Sequence, residues 1–205
     1  MSRKPVYSAD LVHTPIATCS FPALFTPSKQ ANDDGSVTDV YKVDLLFDKD
    51  TDLSALKAIV DEVKKAQWGD RQPSFIKSPF KKGVQKTEDA PRGYDLQKYP
   101  EYAGKIIITA TCKGMPPGVV DHNVQPIIDP NEIYGGMKGR ASVTACAYDH
   151  PKGGCGVSFN LVNFQKTGDG ERFGRAKVKA SDDFEPFVQP TAEGSHADMF
   201  DDDDI

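Results

Sequence analysis

Lysines alternate with aromatic residues in one stretch of the chain, between positions 75 and 86. Its members are Phe75, Lys77, Phe80, Lys81, Lys82 and Lys86. Bases of a nucleic acid can stack on such rings while the ammonium groups follow the phosphates. A solvated loop whose rings pin it to the protein body would show the same residue types. The stretch therefore indicates a binding surface without excluding the simpler interpretation.

The same chemistry recurs further along the chain. Arg92-Gly93-Tyr94, Lys98-Tyr99 and Tyr102 extend the first stretch, and a second cluster is Tyr134-Gly135-Gly136-Met137-Lys138-Gly139-Arg140. Glycines in this cluster would let a ligand strand approach the backbone closely. Arg140 leads into a predicted strand whose Ser142, Thr144 and Tyr148 share its face. A glycine-rich turn or bulge accounts for the second cluster equally well.

Catalytic signatures are largely missing. The chain has no phosphate-binding G-x-x-x-x-G-K-[ST] loop, no G-x-S-x-G turn and no dinucleotide-binding glycine motif between a strand and a helix. Its four histidines and four cysteines lack the spacing of metal sites. We therefore predict no enzymatic activity, no cofactor and no metal. One enzymatic alternative is a nuclease in which Asp121, Asp129 and Glu132 hold Mg²⁺, although these acids lie in proline-rich turns without a partnering lysine motif.

Charge is divided unevenly along the 205 residues. Positions 182–205 hold nine carboxylates and no lysine or arginine, whereas positions 1–181 hold all 25 basic residues and 21 acidic ones. An acidic run with little apolar surface is typical of a disordered interaction tail. We predict a binding domain over 1–181 and a disordered acidic tail over 182–205. Tethered to a mildly basic body, such a tail can compete with an anionic polymer.

Hydrophobic patterns predict the elements that would position these residues. Residues 14–26 look extended, and strict alternation predicts a strand over 37–47. Helical spacing predicts a helix over 53–66, capped by residues 50–52 and followed by Gly69. Residues 70–104 lack a sustained period and predict a long surface excursion. Three further strands are predicted over 105–113, 139–148 and 156–164, and the last two form a hairpin.

About five strands, one helix and long connections favour a mainly β fold. The leading candidate is a small antiparallel OB-fold-like barrel with an acidic tail. Tyr41 and Phe159 align with aliphatic neighbours on one strand face, so we predict that both lie in the core. The apolar runs are too short for a membrane span and the N-terminal residues do not form a signal peptide, which predicts a cytoplasmic protein. Its cysteines are expected to be buried, reduced thiols.

Several short motifs, in their order along the chain, resemble those of phage-encoded single-stranded DNA-binding proteins of the podophage replication type. The residues that carry the resemblance are Tyr134-Gly135-Gly136, Gly139-Arg140, Ala147-Tyr148-Asp149, Lys152-Gly153, Gly156-Val157-Ser158-Phe159, Asp169-Gly170-Glu171-Arg172, Phe173-Gly174 and the acidic tail. The resemblance implies an OB-fold and sequence-tolerant binding of single strands. It also implies a tail that recruits replication or recombination enzymes in the infected bacterial host.

With this resemblance, the chain is predicted to coat single-stranded DNA during phage DNA replication, recombination and repair. The predicted DNA-binding residues are the phosphate contacts Lys77, Lys81, Lys82, Arg92, Lys138 and Arg140 and the stacking residues Phe80, Tyr94 and Tyr134. The predicted partner-binding residues of the tail are Phe200, Asp201, Asp202, Asp203, Asp204 and Ile205. A DNA mimic or structural phage protein that acts through its tail is a second alternative. The sequence leaves open whether the chain forms a homo-oligomer.

Overall fold

The computed structural model describes residues 4–32, 35–70, 73–150 and 153–174, together with positions 183 and 185. Its folded part lies in the compact unit Met1–Gly174. The acidic-tail predictions, including those for Phe200 and Ile205, lie outside the described residues. None of the helices in the described ranges has the length and apolar character that a membrane span requires.

Five long strands and one α-helix dominate the described residues. The long strands are β3 (Ala17–Ala31), β4 (Val37–Phe47), β6 (Ile106–Lys113), β8 (Lys138–His150) and β9 (Gly154–Gly168). The short strands are β1 (Val6–Tyr7), β2 (Val12–His13), β5 (Phe80–Lys82) and β7 (Gly118–Val120). The helix is α1 (Ser54–Trp68), and short 3₁₀ turns cover Pro100–Tyr102 and Pro130–Glu132. The five long strands coincide with the five predicted ones, although β3, β8 and β9 extend further.

The long strands form a closed ring in the order β3, β4, β6, β9, β8 and back to β3. This arrangement confirms the predicted mainly β, OB-fold-like architecture. The predicted ring was wholly antiparallel, but β6 and β9 pair in parallel through Ala110 and Phe159. A ring of five strands cannot alternate in direction all the way round, so at least one neighbouring pair has to be parallel.

Helix α1 confirms the predicted amphipathic helix within two residues at each end. It buries Leu56, Ile59, Val60 and Val63 and packs against β8, β1, β2 and β9. The N-cap position is Leu53, which makes no side-chain cap bond, but the preceding Asp52 carboxylate accepts a hydrogen bond from the Ser54 N–H at 2.9 Å. At the other end Gly69 has a φ of 57° and its N–H donates to the Lys65 carbonyl.

Strand β4 shows how the two faces of the ring are divided. Val43, Leu45 and Phe47 point into the core, and each is at most 1% exposed. The intervening Lys42 and Asp44 lie on the outer face, opposite threonines of β6. Tyr41 and Phe159 are buried as predicted, at 8% and 0% exposure. The outer face of the sheet is therefore polar over the middle of β4 and β6.

The described residues 73–104 of the predicted excursion lie against this outer face. They contain β5 and a 3₁₀ turn, and their aromatic residues cover Leu46 and Ile107 in a small second hydrophobic cluster. The covering residues are Tyr94, Leu96, Tyr99 and Tyr102. A Cβ atom on Gly83 would lie 1.6 Å from the carbonyl oxygen of Tyr102, so this approach requires glycine. The second cluster fixes the loop beside the polar part of the sheet.

Candidate nucleic-acid interface

A groove crosses the outer face of β6, β8 and β9, and we call it the β6–β9 groove. It consists of two adjoining depressions of about 440 and 450 Å³ that share Thr111, Tyr148 and Ser158. The first depression is also lined by Lys77, Ser78, Pro79, Lys81, Arg92, Tyr94, Thr109 and Val157. The second is also lined by Tyr7, Lys113, Cys146, Phe159 and Asn160. The groove thus extends from the rim of the excursion to the short strand β1.

The charge of the groove is of one sign. Lys77, Lys81, Arg92 and Lys113 line it, and no carboxylate is among the described lining residues. Asp44 lies beneath the second hydrophobic cluster, where it accepts hydrogen bonds from Thr109 Oγ1 at 2.6 Å and from the Tyr102 hydroxyl at 2.8 Å. A cleft lined by cations attracts an anionic chain.

Tyr148 occupies the middle of the groove and lies over Gly156. A Cβ atom at Gly156 would lie 2.3 Å from the Tyr148 hydroxyl oxygen and 3.0 Å from the Lys77 Cβ, so glycine makes room for both side chains. Burial raises the pKa of Tyr148, while the nearby charge of Arg92 acts in the opposite direction. The Tyr148 phenol is therefore neutral at physiological pH. A neutral ring between cations is the arrangement on which bases stack.

Tyr94 forms the boundary between the groove and the second hydrophobic cluster. Its ring centroid lies 4.5 Å from that of Tyr102. Burial, with a smaller contribution from Asp44, raises the pKa of Tyr94 to about 12. The Tyr94 hydroxyl is buried and has no hydrogen-bond partner within the described part of the chain. Leaving such a group unsatisfied costs about 1–3 kcal/mol.

The backbone of Lys77 fixes the upper rim of the groove to β9. The Lys77 N–H donates to the Cys155 carbonyl at 2.9 Å, and the Val157 N–H donates to the Lys77 carbonyl at 3.0 Å. The Lys77 ammonium donates to the Gly153 carbonyl at 2.5 Å. Nearby, the Arg92 guanidinium lies 5.6 Å from the ring centroid of Phe75, a ring that is 65% exposed. The rim therefore holds a cation and an exposed aromatic ring together.

Two predicted residues of β5 lie beside the groove rather than within its lining. Phe80 packs edge-on against Phe159, with ring centroids 5.6 Å apart, and joins the main core. Lys82 is exposed and pairs through its backbone with Ile106. The structure thus brings together Lys77, Lys81, Arg92 and Tyr94 from the predicted set and places Phe80 in a packing role.

The predicted residues Lys138 and Arg140 lie at the opposite end of β8. Eight residues separate Arg140 from Tyr148, which is about 26 Å along a strand. The Lys138 ammonium donates to Thr18 Oγ1 at 2.7 Å, and the Arg140 Nε donates to Gln165 Oε1 at 2.8 Å. Both cations are hydrogen-bonded within the protein.

Tyr134 is held by charged neighbours at the same end of the molecule. The Arg172 guanidinium lies 3.8 Å from its ring centroid and the Lys166 ammonium 5.4 Å from it. Its hydroxyl donates to Asp169 at 2.7 Å. Lys166 and this hydroxyl together lower the pKa of Asp169. One face of the Tyr134 ring is therefore covered by a cation of the protein itself.

Sequence reasoning did not select Tyr7, Phe75, Lys113 or Tyr148 as site residues. Alternation in β6 offered a signal for Lys113, because it shares a face with Thr109 and Thr111. Tyr148 was assigned to the face of Arg140 but not to a site. Tyr7 lies in a strand of two residues, which carries no periodic signal. Only pairing with Ala147 and Cys146 brings β1 to the groove.

Asp121 and Asp129, two of the three acidic residues considered for a nuclease, have local structural roles. The Asp121 carboxylate accepts hydrogen bonds from the N–H groups of Asn123 and Gln125, both at 2.8 Å. The Asp129 carboxylate accepts from the N–H of Asn131 at 2.9 Å. Within the described ranges, no group of three histidine, cysteine or carboxylate side chains could hold a metal ion.

Comparison with known proteins decides the family. The family model described as the ssDNA-binding protein of Enterobacter phage Enc34 matches residues 11–199. The chain belongs to this family. A relative in sequence, putative protein p50 of Acyrthosiphon pisum secondary endosymbiont phage 1, is 29% identical and the match covers 81% of this chain and 88% of p50.

Solved structures agree with membership of the Enc34 family. The Enc34 protein in complex with ssDNA is 26% identical, with a TM-score of 0.60 and coverage of 80% of this chain and 89% of that one. The single-stranded DNA-binding protein gp2.5 of bacteriophage T7 is 16% identical, with a TM-score of 0.53 and coverage of 88% and 99%. The likeness to gp2.5 concerns the fold alone.

Proposed function

We propose that this phage protein binds single-stranded DNA without strong sequence preference, with the strand in the β6–β9 groove. The observation that carries the proposal is a continuous groove with four cations, three tyrosines and no carboxylate among its described lining residues. Rings in such a groove stack on any base, and cations follow the backbone. The Enc34 relative has been seen in complex with ssDNA, which supports the same function here.

Titration of a fluorescently labelled oligo(dT) at several salt concentrations tests this function. If Lys77, Lys81, Arg92 and Lys113 each neutralise one phosphate, the logarithm of the binding constant should fall with the logarithm of the salt concentration at a slope of about −3. Binding should persist in EDTA, because the proposed function needs no metal and no catalysis. A flat salt response, or tighter binding to duplex than to single strands, would contradict it.

We further propose that the protein coats single strands during phage replication, recombination and repair in the host cytoplasm, and that its acidic tail competes with DNA. Nine carboxylates tethered to a body with an excess of basic residues act at an effective concentration in the mM range. Truncation after Ser181 should therefore raise DNA affinity, most strongly at low salt. Weaker DNA binding by a folded truncated protein would disprove the competition.

Once DNA displaces it, the tail is available to recruit replication or recombination enzymes. Ile205 and Phe200 would supply apolar contacts and Asp201–Asp204 electrostatic steering. Deleting Ile205 should weaken capture of a partner enzyme while DNA affinity changes little. Loss of DNA affinity without loss of capture would contradict this division of roles.

A further inference from the structure

Phe21 combines backbone strain with exposure. Its φ is 44°, in the left-handed region, and the next residue is Pro22. Left-handed backbone costs a residue with a side chain roughly 1–2 kcal/mol, and a following proline restricts the residue before it to extended conformations. The pairing register of β3 with β4 shifts between Ser20 and Ala23, so Phe21 lies in a bulge. This backbone directs the ring outwards, where it is 50% exposed.

The ring projects into an open cleft of about 790 Å³, which we call the Phe21 cleft. The ring centroid of Tyr99 lies 5.3 Å from that of Phe21, with the two planes at 79°. Phe173 of the second hydrophobic cluster also lines the cleft. An edge contact of this kind holds the Phe21 ring in place without covering its faces, and the residue as a whole is 50% exposed.

A row of aromatic rings connects the Phe21 cleft to the β6–β9 groove. Tyr94 lines the groove, and its ring centroid lies 4.5 Å from that of Tyr102. Tyr102 lies 6.0 Å from Tyr99, which contacts Phe21. The two depressions therefore flank one small cluster of the excursion. A strand leaving the groove at Tyr94 passes over that cluster within a few nucleotides.

The charges of the cleft favour a base over a phosphate. Glu101 and Glu171 line it together with Lys98 and Arg172. The two cations lie over the rings of Tyr99 and Tyr134, at 5.3 and 3.8 Å. A phosphate here would face two carboxylates, whereas an uncharged aromatic base can stack on the exposed ring and donate its amino hydrogens to a carboxylate.

We propose that the Phe21 cleft is a second DNA contact, which stacks a nucleobase of the same strand that occupies the β6–β9 groove. This assignment rests on the proposed function and extends the binding site beyond the groove. Residues with strained backbone cluster at active sites and ligand-binding sites. The cleft lengthens the stretch of DNA that one protein molecule covers without adding a phosphate contact.

The length of the oligonucleotide separates this contact from the groove. Full-length protein and the variant Phe21→Gly are titrated with oligo(dT) of about 5 and about 16 nucleotides, a range typical of one OB-fold. Glycine accepts the positive φ, so the substitution removes the ring without adding strain. We expect both proteins to bind the short oligonucleotide alike. The variant should bind the long one about 5- to 150-fold more weakly, with an unchanged salt slope.

Two further variants control for folding and for general surface effects. Phe21→Leu keeps apolar volume but lacks an aromatic face, so it should show the same length-dependent loss even if Phe21→Gly fails to fold. Ile128 is exposed and lines neither the β6–β9 groove nor the Phe21 cleft. The variant Ile128→Ala should therefore bind both oligonucleotides like the parent.

The remaining outcomes overturn either the base contact alone or the proposed function as well. If folded Phe21 variants match the parent at both lengths, or lose affinity equally at both, the cleft is not a base contact. A changed salt slope would show that the cleft takes a phosphate, which also overturns the proposal. If the parent itself binds neither oligonucleotide, the proposed function fails, and the inference fails with it.

Discussion

Cations and tyrosines cluster near both ends of β8, but in different environments. Near its C-terminal end, Tyr148 lies in a groove with Lys81 and Arg92 and faces no carboxylate among the described lining residues. Near its N-terminal end, Lys138 and Arg140 donate hydrogen bonds to neighbouring side chains of the protein. We infer that Lys138 and Arg140, whose hydrogen bonds go to side chains of the protein, are less available to DNA than the groove cations, of which Lys77 donates to a backbone carbonyl and Arg92 lies over the Phe75 ring.

The largest effect that this comparison predicts is on the salt dependence of DNA binding. We expect Lys81→Ala combined with Arg92→Ala to reduce the magnitude of the slope by about 1.4, because two phosphate contacts are lost. If the double variant and the parent bind DNA equally at 1 M salt, the variant should bind roughly 60-fold more weakly at 0.05 M. Oligo(dT) titrations between these concentrations measure it. An unchanged slope in the folded double variant would remove the groove as the phosphate path.

Stacking in the groove should be separable from charge. Tyr148→Ala should weaken binding by about 2 kcal/mol, or roughly 30-fold, without changing the salt slope. Tyr148→Phe is the matched control and should bind like the parent, because the phenol, whose pKa is raised by burial, is neutral and the proposed contact is made by the ring. If the two variants lose affinity equally, the hydroxyl rather than the ring would carry the contact.

A smaller effect is expected from Gly156→Ala. The new methyl group would displace the end of the Tyr148 side chain, which lies 2.3 Å from the position of that Cβ. Because a side-chain end can move aside, the fold should survive while stacking is weakened by about 1 kcal/mol, the lower end of the stacking range. Fluorescence titration together with thermal unfolding measures both quantities. Parental affinity in this variant would mean that Tyr148 binds no base in its present orientation.

The smallest effect is predicted for the opposite end of β8. Lys138→Ala combined with Arg140→Ala removes as much charge as the groove double variant, yet we expect the salt slope to change by less than about 0.5. The two double variants are therefore compared in the same titration. If the salt slope changes as much as in the groove variant, the DNA path reaches both ends of β8, and the two ends do not differ in their availability to DNA.

Much of the fold follows from the sequence because its signals are local. Alternation located β4 at its observed bounds, and helical spacing with Gly69 located α1. The number and spacing of the predicted strands also predicted that the sheet closes on itself. By contrast, β1 and β2 contain two residues each and are defined only by pairing with β8, so no pattern along the chain could reveal them.

The candidate site was harder to predict because it depends on the partners of each side chain. Lys77, Lys81, Arg92 and Tyr94 were selected from residue type, and the fold places them along one groove. Phe80 belongs to the same stretch of lysines and aromatic residues, but its ring packs on Phe159. It does so from the short strand β5, which the pattern of residues along the chain did not predict. The partners of Tyr134 lie more than 30 residues away along the chain, so its surroundings could not be predicted.

The parallel pairing of β6 with β9 also has a consequence for how the chain folds during synthesis. This pairing joins Ala110 to Phe159, so 49 further residues must be synthesised after Ala110 before its partner in β9 is available. At translation rates of about 5–20 residues per second, the delay is roughly 2–10 seconds. Throughout that interval the part of this edge beyond β5, at Ala110 and Thr111, presents unpaired backbone groups of the kind that recruit strands from other chains. We therefore expect the nascent protein to be most prone to aggregation just before the surface that forms the groove is completed.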